Sequence, residues 1–276
     1  MKAPIPYMGG KGPVREYLSQ VMSSRAHTTF VETFGGSFAV YYEKPKAKIN
    51  VLNDVDPDVL GIHTAISRDH EAVRAERQRL PIGRPTYEQI QNERHSPRWF
   101  GLTEAQRAAR MMYVFSCAIN AKQDSPFPAS PTRAINYDPE KDLQPYSDKL
   151  RGVTFESLDW AELLNRYVLQ PKSISCMLYA DPPYVVSAKG KHYSRNFAAI
   201  DHVMLARTLA LINQRNTGER SVDIVVTYDD DGLIRALYRP EFGWYLNHLP
   251  VKYKSGRHAN ATNELLISNF SLGERA

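Results

Sequence analysis

The sequence predicts an α/β protein in which a mixed β-sheet is interrupted by a mostly helical insertion. Short apolar runs alternate with helical stretches near both ends of the chain. Several of these runs end in glycine or proline turns followed by polar side chains. Between residues 61 and 151 the strand pattern gives way to arginine-rich helical segments. Together these features indicate one sheet domain with a sizeable insertion.

Composition sets broad limits on the protein. The chain has 276 residues, of which 42% are hydrophobic and 24% charged, as is ordinary for a globular protein with a real core. Its net charge of +5 permits an acidic partner without establishing one. Cys117 and Cys176 lie far apart in apolar runs, which favours a reducing compartment over a disulfide scaffold. With no signal peptide or membrane-spanning run evident, we expect a cytoplasmic protein.

The first unit begins with a Gly-rich loop from Pro4 to Gly12, followed by a helix from about Pro13 to Met22. The loop either approaches a ligand closely or is a floppy terminus, and this segment alone does not decide between them. A strand at Thr28–Phe34 then reaches Gly35-Gly36, and a helix begins near Phe38. Strand, glycine turn and helix form the cofactor end of a Rossmann-like unit. The absence of G-x-G-x-x-G and of a P-loop points away from dinucleotides and ATP.

The second strand predicts a contact to a ribose. It runs over Ile49–Asn53 and is followed by Asp54. In Rossmann-like folds an acidic residue at this point, about 20 residues after the glycine turn, binds ribose hydroxyls. An Asp at a strand end is often without function, but this spacing favours the functional interpretation.

The insertion combines basic and aromatic residues. Arginines outnumber glutamates from Gly61 to Arg151, and Tyr87, Trp99 and Phe100 are interleaved with them. A helix is predicted over Thr103–Ile119 with Thr103 as its N-cap, followed by a loop over Ser125–Asp138. Such a mixture suits phosphate contact and base stacking, although about half of the arginines are expected on a solvated helical face.

After the insertion the sheet pattern resumes and continues to the end of the chain. A polar loop at Val185–Arg195 and a basic loop at Lys254–His258 separate some of its elements. We predict strands at Val153–Leu158, Ile174–Ala180, Val222–Tyr228, Trp244–Tyr253 and Glu264–Phe270, and helices at Ile200–Arg215 and within Asp229–Arg239. With the first two, this makes seven strands.

The stretch Asp181-Pro182-Pro183-Tyr184 is the centre of the functional prediction. It follows the apolar run Ile174–Ala180, which reads as a buried parallel strand. Ligand sites in open α/β sheets lie outside the carboxyl ends of the strands. The two prolines donate no backbone hydrogen bonds and fix φ, so they form a stiff corner that presents carbonyls, a carboxylate and a ring.

Together these motifs resemble the DNA N6-adenine methyltransferases, in the subgroup with the cofactor motif first, a recognition insertion next and Asp-Pro-Pro-Tyr late. DNA adenine methylases of bacteria and their phages belong to it. The resemblance covers essentially the whole sheet domain. It rests on Tyr7–Lys11, Phe30–Val40, Asn53-Asp54, Asp159-Trp160, Asp181–Tyr184 and Glu264–Asn269.

The resemblance implies a Rossmann-like seven-stranded mixed sheet of S-adenosylmethionine-dependent methyltransferases. Its catalytic domain would comprise residues 1–61 and 150–276, and a mostly helical target-recognition domain residues 62–149. S-adenosylmethionine would be the cofactor, double-stranded DNA the partner, and no metal would be needed. We expect a monomer or weak dimer.

The resemblance also implies residue roles. Lys11 and its loop would meet the methionine part of the cofactor, Asp54 the ribose, and Asp159 and Trp160 the adenine. The full cofactor set is Tyr7, Met8, Gly9, Lys11, Glu32, Thr33, Phe34, Gly35, Gly36, Asp54, Asp159, Trp160 and Asp181. The catalytic set is Asp181, Pro182 and Tyr184. The predicted DNA contacts are Arg94, Arg98, Asn120, Lys122, Lys189, Lys191, Tyr193, Lys254 and Arg257.

The chemistry needs these residue types. The lone pair of an adenine N6 amino group is delocalised into the ring, so the nitrogen is a poor nucleophile. The Asp181 carboxylate and the Pro182 carbonyl can each accept one N–H, which pulls the nitrogen toward tetrahedral geometry and stabilises its developing positive charge. A target base inside a duplex must be flipped out, and Tyr184 offers a face for stacking.

Departures from the family pattern keep alternatives open. Thr33 stands where relatives usually have Pro, and Phe38 where they have Gly, so a bulky Phe38 must point away from the cofactor or alter its turn. Only Asn120 matches the Asn-Arg-x-x-Phe-Asn-Gly stretch of GATC-specific relatives, so the recognition sequence is open. RNA or N4-cytosine methylation, or a catalytically silent DNA-binding protein, are the competing interpretations.

Overall fold

A seven-stranded mixed sheet organises the protein. The structure is a computed structural model that describes residues 1–128, 137–185, 197–252 and 261–272. The strands are β1 Thr29–Glu32, β2 Ile49–Asn53, β3 Thr154–Glu156, β4 Ile174–Ala180, β5 Arg220–Asp229, β6 Tyr245–Lys252 and β7 Ala261–Ser268. All seven predicted strands are therefore confirmed, and β2 and β4 have the predicted bounds.

The strand order places a crevice beside β1. Across the sheet the order is β3-β2-β1-β4-β5-β7-β6. Strand β1 pairs in parallel with β2 on one side and with β4 on the other, so the order reverses there. β7 lies between β5 and β6 and is antiparallel to both. In open α/β sheets ligands bind at this reversal, outside the carboxyl ends of the strands.

Helices cover both faces of the sheet. The α-helices are α1 Arg15–Ser23, α2 Ala39–Glu43, α3 Pro57–Gln78, α4 Arg84–Arg94, α5 Arg98–Gly101, α6 Glu104–Cys117, α7 Gln144–Leu150, α8 Trp160–Leu164, α9 Ala199–Gln214 and α10 Gly232–Leu237. Successive strand residues point to opposite faces. Phe30 therefore joins the core under α1, α2, α3 and α6. Its neighbour Val31 joins the core under α8, α9 and α10.

The helices of the insertion share the sheet's core. Tyr87, Ile90 and Trp99 belong to the same buried cluster as Phe30. α6 has the predicted N-cap, since the Thr103 hydroxyl accepts from the Gln106 N–H and the Gln106 side chain accepts from the Thr103 N–H. The boundary predicted between residues 61 and 62 lies inside α3, so the backbone has no break there. None of the helices in the described ranges is long and apolar enough to cross a membrane.

Candidate active site

A cavity of about 840 Å³ opens at the carboxyl ends of β1, β2 and β4. It lies where the strand order reverses. Every residue of the predicted cofactor and catalytic sets lines this cavity: Tyr7, Met8, Gly9, Lys11, Glu32, Thr33, Phe34, Gly35, Gly36, Asp54, Asp159, Trp160, Asp181, Pro182 and Tyr184. The fold thus brings together groups that the sequence separates by up to 177 positions, from Tyr7 to Tyr184.

The glycine turn after β1 is held from both sides. Thr33 N–H donates to the Tyr179 carbonyl of β4, and Gly35 N–H donates to the Asn53 carbonyl of β2, each at 3.0 Å. Gly36 has φ of +51°, and a Cβ there would lie 2.8 Å from the Tyr7 ring. A side chain at Gly36 would therefore be strained and would collide with the Gly-rich loop. The turn and the loop form one wall of the cavity.

Phe38 does not line the cavity, which is one of the two outcomes that the sequence left open for a bulky residue at this position. It adopts the left-handed conformation, with φ of 52° and ψ of 36°, and is completely buried. Its ring lies under Gly35, where a Cβ would be 1.8 Å from the ring, and meets His63 edge-to-face at 4.8 Å between centroids. Burial lowers the pKa of His63 to about 3, so this imidazole is neutral. Phe38 thus supports the turn from below.

Asp54 holds the glycine turn and the start of the next segment through backbone amides. Its carboxylate accepts the Gly36 N–H at 2.6 Å and the Asp56 N–H at 2.8 Å, one on each oxygen. Burial raises its pKa to about 6, and these two amides oppose the rise. Each carboxylate oxygen has a further acceptor site, so Asp54 can still accept from a ligand hydroxyl in the cavity.

Asp181 lies at the centre of a buried polar network. Lys11 Nζ is 2.6 Å from its Oδ1 and 2.7 Å from its Oδ2. The Thr227 hydroxyl of β5 also donates to Oδ1, at 2.7 Å. Burial raises the pKa of Asp181, and Lys11 and Thr227 act against that rise by favouring the carboxylate.

Asp181 begins a corner that is anchored at both ends. Val185 N–H donates to Asp229 Oδ1 at 3.3 Å, which ties the end of the corner to β5. The Tyr184 ring lies beside the Lys11 ammonium, with Nζ 4.9 Å from the ring centroid. On the far side of the cavity, Asp159 caps α8 by accepting the Ala161 N–H, and this places Trp160 at the wall.

The loop after α6 brings the insertion to the same cavity. Ala121 and Lys122 line it, and Phe115 at the end of α6 packs against Tyr7 with ring centroids 5.6 Å apart. Asn120 and Ala121 both have positive φ, 59° and 52°. Such strain is common next to functional sites. Lys122 thus lies at the cavity wall, and Asn120 precedes the lining residue Ala121 in the chain.

Arg94 lies in a network of ion pairs with its side chain largely buried. Its side chain is 6% exposed and pairs with Asp58 at 3.2 Å and with Asp124 at 3.6 Å. It also donates to the Gln123 carbonyl. Arg94 therefore fastens α4 to the start of α3 and to the loop after α6. Arg98, by contrast, is exposed at the start of α5.

A family model for D12 class N6 adenine-specific DNA methyltransferases matches residues 7–253. The matched span runs from the Gly-rich loop through the Asp-Pro-Pro-Tyr corner and beyond β6. The chain belongs to this family. It is an S-adenosylmethionine-dependent methyltransferase that acts on adenine N6 in DNA.

Comparisons with solved structures and curated sequences add little to the family match. The methyltransferase is similar to a methylase from Haemophilus influenzae, with 12% identity and a TM-score of 0.37 over 94% of this chain and 89% of that one. It is also similar to a SAM-dependent methyltransferase from Agrobacterium tumefaciens, with 11% identity and a TM-score of 0.40 over 92% of this chain and 59% of that one. Both scores are low, so neither carries an argument. No curated protein matches the sequence.

The residues of this methyltransferase fit S-adenosylmethionine. Within the described part of the chain, Glu32 Oε2 and Thr33 Oγ1 are buried atoms of the cavity wall that lack a hydrogen-bond partner. Both can bind polar groups of a ligand. Trp160 offers an aromatic face, and Asp54 offers acceptors for ribose hydroxyls. The described ranges contain no cluster of three or more His, Cys, Asp or Glu side chains that could hold a metal ion.

The structure also shows site residues that the sequence prediction omitted. Glu264 lines the cavity and lies 3.8 Å from Lys11, and Thr227 binds Asp181 from within β5. Glu264 begins the closing stretch that carries part of the resemblance, whereas Thr227 has no signal beyond its place in a buried strand. Five of the predicted DNA contacts lie outside the described residues: Lys189, Lys191, Tyr193, Lys254 and Arg257.

Proposed function

We propose that this methyltransferase modifies a specific short sequence in duplex DNA by flipping the target adenine into the cavity described above. One observation carries the proposal: the stiff corner Asp181–Tyr184 faces the same cavity as the glycine turn of the cofactor site. A nucleophile held at the corner and a methyl donor held at the turn would then share one enclosed space. Such positioning is a large part of enzymatic rate enhancement.

In the proposed reaction the corner binds the adenine amino group. Asp181 accepts one N6–H and the Pro182 carbonyl the other, while Tyr184 stacks on the base. The N6 lone pair would form the new N–C bond to the methyl group, and the electron pair of the broken S–C bond would stay on the departing thioether. The extra N6 proton then leaves through Asp181 to water. The sulfonium supplies the methyl group, and the fixed carboxylate stabilises the charge that develops on nitrogen.

The hydrogen bonds that Asp181 already accepts leave room for the substrate. Oδ1 accepts from Thr227 and Oδ2 accepts from Lys11, whose Nζ also lies 2.6 Å from Oδ1. Each carboxylate oxygen has about two acceptor sites. Each oxygen therefore retains an acceptor site, and we propose that one of the two accepts the N6–H of the target base.

For the DNA surface we propose the rim formed by the loop after α6 together with α5. Asn120 and Lys122 lie next to the cavity, and Arg98 is exposed on α5. These residues supply an amide for base edges and two cations for phosphates. Because Arg94 is engaged in internal ion pairs, we do not propose it as a phosphate contact.

The division into a catalytic domain at 1–61 and 150–276 and a recognition insertion at 62–149 remains part of this proposal. One chain carries the cofactor turn, the catalytic corner and the helices next to them, which supports action as a monomer or weak dimer. Cys117 and Cys176 are both buried free thiols, which supports a reducing compartment such as the cytoplasm.

Methyl transfer from labelled S-adenosylmethionine tests the proposal. Unmethylated duplex DNA, the same DNA as single strands, and RNA are compared as acceptors. We expect transfer to the duplex and N6-methyladenine at one short motif when the product is sequenced. Transfer mainly to RNA, or methyl groups on cytosine, would contradict the proposed substrate.

A further inference from the structure

A hydrogen-bonded chain reaches Asp181 from inside the sheet. The Thr227 hydroxyl donates to Asp181 Oδ1 at 2.7 Å, and the Tyr179 hydroxyl lies 3.1 Å from the same Thr227 oxygen. Because the Thr227 proton is used on Asp181, Tyr179 must be the donor in the second bond. Thr227 is completely buried and Tyr179 is 1% exposed, so no water competes for these groups.

A second carboxylate faces Lys11 from β7. Glu264 Oε2 is 3.8 Å from Lys11 Nζ, and the Glu264 side chain is 2% exposed. Lys11 is itself 4% exposed and also donates to the Gly9 carbonyl at 3.3 Å. One buried ammonium thus lies between two carboxylates, and only one of them, Asp181, belongs to the catalytic corner.

We propose that Thr227 and Glu264 are positioning residues for methyl transfer: Thr227 fixes the Asp181 carboxylate through Oδ1, and Glu264 shares the charge of Lys11. This inference rests on the proposed function of Asp181. Without Glu264, Lys11 would neutralise Asp181 and weaken its stabilisation of the positive charge on N6. Without Thr227, the carboxylate could rotate about its Cβ–Cγ bond and present neither oxygen reliably.

Thr227 and Glu264 change the pKa of Asp181 in opposite directions. Thr227 favours the ionised carboxylate, together with Lys11, and lowers the pKa of Asp181 against the dominant effect of burial. Glu264 raises that pKa by repulsion. Glu32 and the buried hydroxyls of Tyr179 and Tyr228 also face this carboxylate. Removing Thr227 should therefore raise the pKa of Asp181, and removing the charge of Glu264 should lower it.

The experiment compares Thr227→Val and Glu264→Gln, which keep the shape of each side chain. One readout is the 13C chemical shift of the Asp181 carboxyl during a pH titration of the cofactor-free protein, assigned with Asp181→Asn. The other is the pH profile of kcat on duplex DNA. We expect the Asp181 titration and the acidic limb of kcat to move to higher pH in Thr227→Val and to lower pH in Glu264→Gln. Each plateau kcat should fall by about tenfold or more, as expected for loss of one interaction with a buried charge.

Matched variants separate positioning from folding. Thr227→Ser keeps the hydroxyl and should restore the pH profile, while Tyr179→Phe should give a smaller shift in the direction of Thr227→Val. Ser268→Ala is the control: it removes a buried hydroxyl in β7 that donates to the Phe270 carbonyl, and it should leave the pH profile unchanged. If Thr227→Val does not fold, Tyr179→Phe and Glu264→Gln still give the opposite shifts.

The outcomes are distinct. Titrations that move in the same direction in both variants, or not at all, overturn the inference. The NMR titration does not need activity, so opposite shifts would support the positioning role even if DNA were not the substrate. Wild-type protein without methyl transfer to DNA would count against the proposed function alone.

Discussion

Replacing Phe38 with Gly should destabilise the protein, although Gly is the residue that family members usually have there. Loss of a completely buried Phe side chain costs about 3–5 kcal/mol in other cores. The left-handed backbone at φ of 52° costs a non-glycine residue about 1–2 kcal/mol, which Gly would recover. The net effect is a loss of about 1–4 kcal/mol in the free energy of unfolding.

Cofactor affinity should change little in Phe38→Gly, because the ring lies under Gly35 and outside the cavity. Denaturant unfolding measures the first quantity and calorimetric titration with S-adenosylmethionine the second. Phe38→Asn is the matched control, since Asn tolerates the left-handed conformation but also leaves the space empty. A Gly variant as stable as the wild type, or one that binds the cofactor about tenfold more tightly, would refute this account of the turn.

Three further predictions concern other sites. Ala121→Gly should stabilise the protein by about 1 kcal/mol, because Ala121 has φ of 52° and only a methyl group would be lost; denaturant unfolding that shows a loss would contradict the strained geometry. Cofactor affinity should fall as the pH drops through about 6, because Asp54 then takes up a proton and loses an acceptor for the ribose hydroxyls. Asp54→Asn should bind the cofactor more weakly and without that pH dependence, and a wild-type affinity that calorimetry shows to be independent of pH would exclude the ribose role. Arg94→Ala should lower the free energy of unfolding by about 2 kcal/mol without changing how steeply the DNA-binding constant falls with salt concentration, whereas Lys122→Ala should reduce that log–log slope by about 1. Fluorescence titrations with DNA at several salt concentrations measure the slope, and the reverse pattern would exchange the roles of the two residues.

Local patterns in the sequence were sufficient to predict the strands. β2 and β4 are short apolar runs with sharp polar or proline boundaries, and their bounds were predicted without error. The glycine turn and Asp54 follow from the spacing that a Rossmann-like unit requires. The capping box of α6 also depends only on neighbouring residues.

The start of α3 also carries a local signal in the sequence. Asp56 accepts from the Asp58 and Val59 N–H groups, and Pro57 occupies the first helical turn. Asp-Pro is a common way to begin a helix. This signal places the start of α3 at Pro57, four residues before the domain boundary predicted after residue 61, and that boundary therefore falls inside the helix.

The remaining features depend on contacts between distant parts of the chain. Arg94 has the appearance of a surface arginine until its partner Asp58, 36 residues earlier, is known. The pairing of Lys11 with Asp181 joins groups 170 residues apart, and Thr227 reaches Asp181 only because β5 lies beside β4. No spacing rule connects such residues, so the environment of the Asp181 carboxylate could not be predicted from the sequence.

The catalytic role of Asp181 is the central claim, and a single-turnover experiment tests it most directly. Wild-type protein and Asp181→Asn are mixed with labelled S-adenosylmethionine and unmethylated duplex DNA, and the modified positions are mapped. The account predicts N6-methyladenine at one short motif with the wild type. It predicts a loss of at least about a thousandfold in rate with Asp181→Asn, while calorimetry shows cofactor binding retained. An Asp181→Asn variant with nearly wild-type transfer would contradict the account.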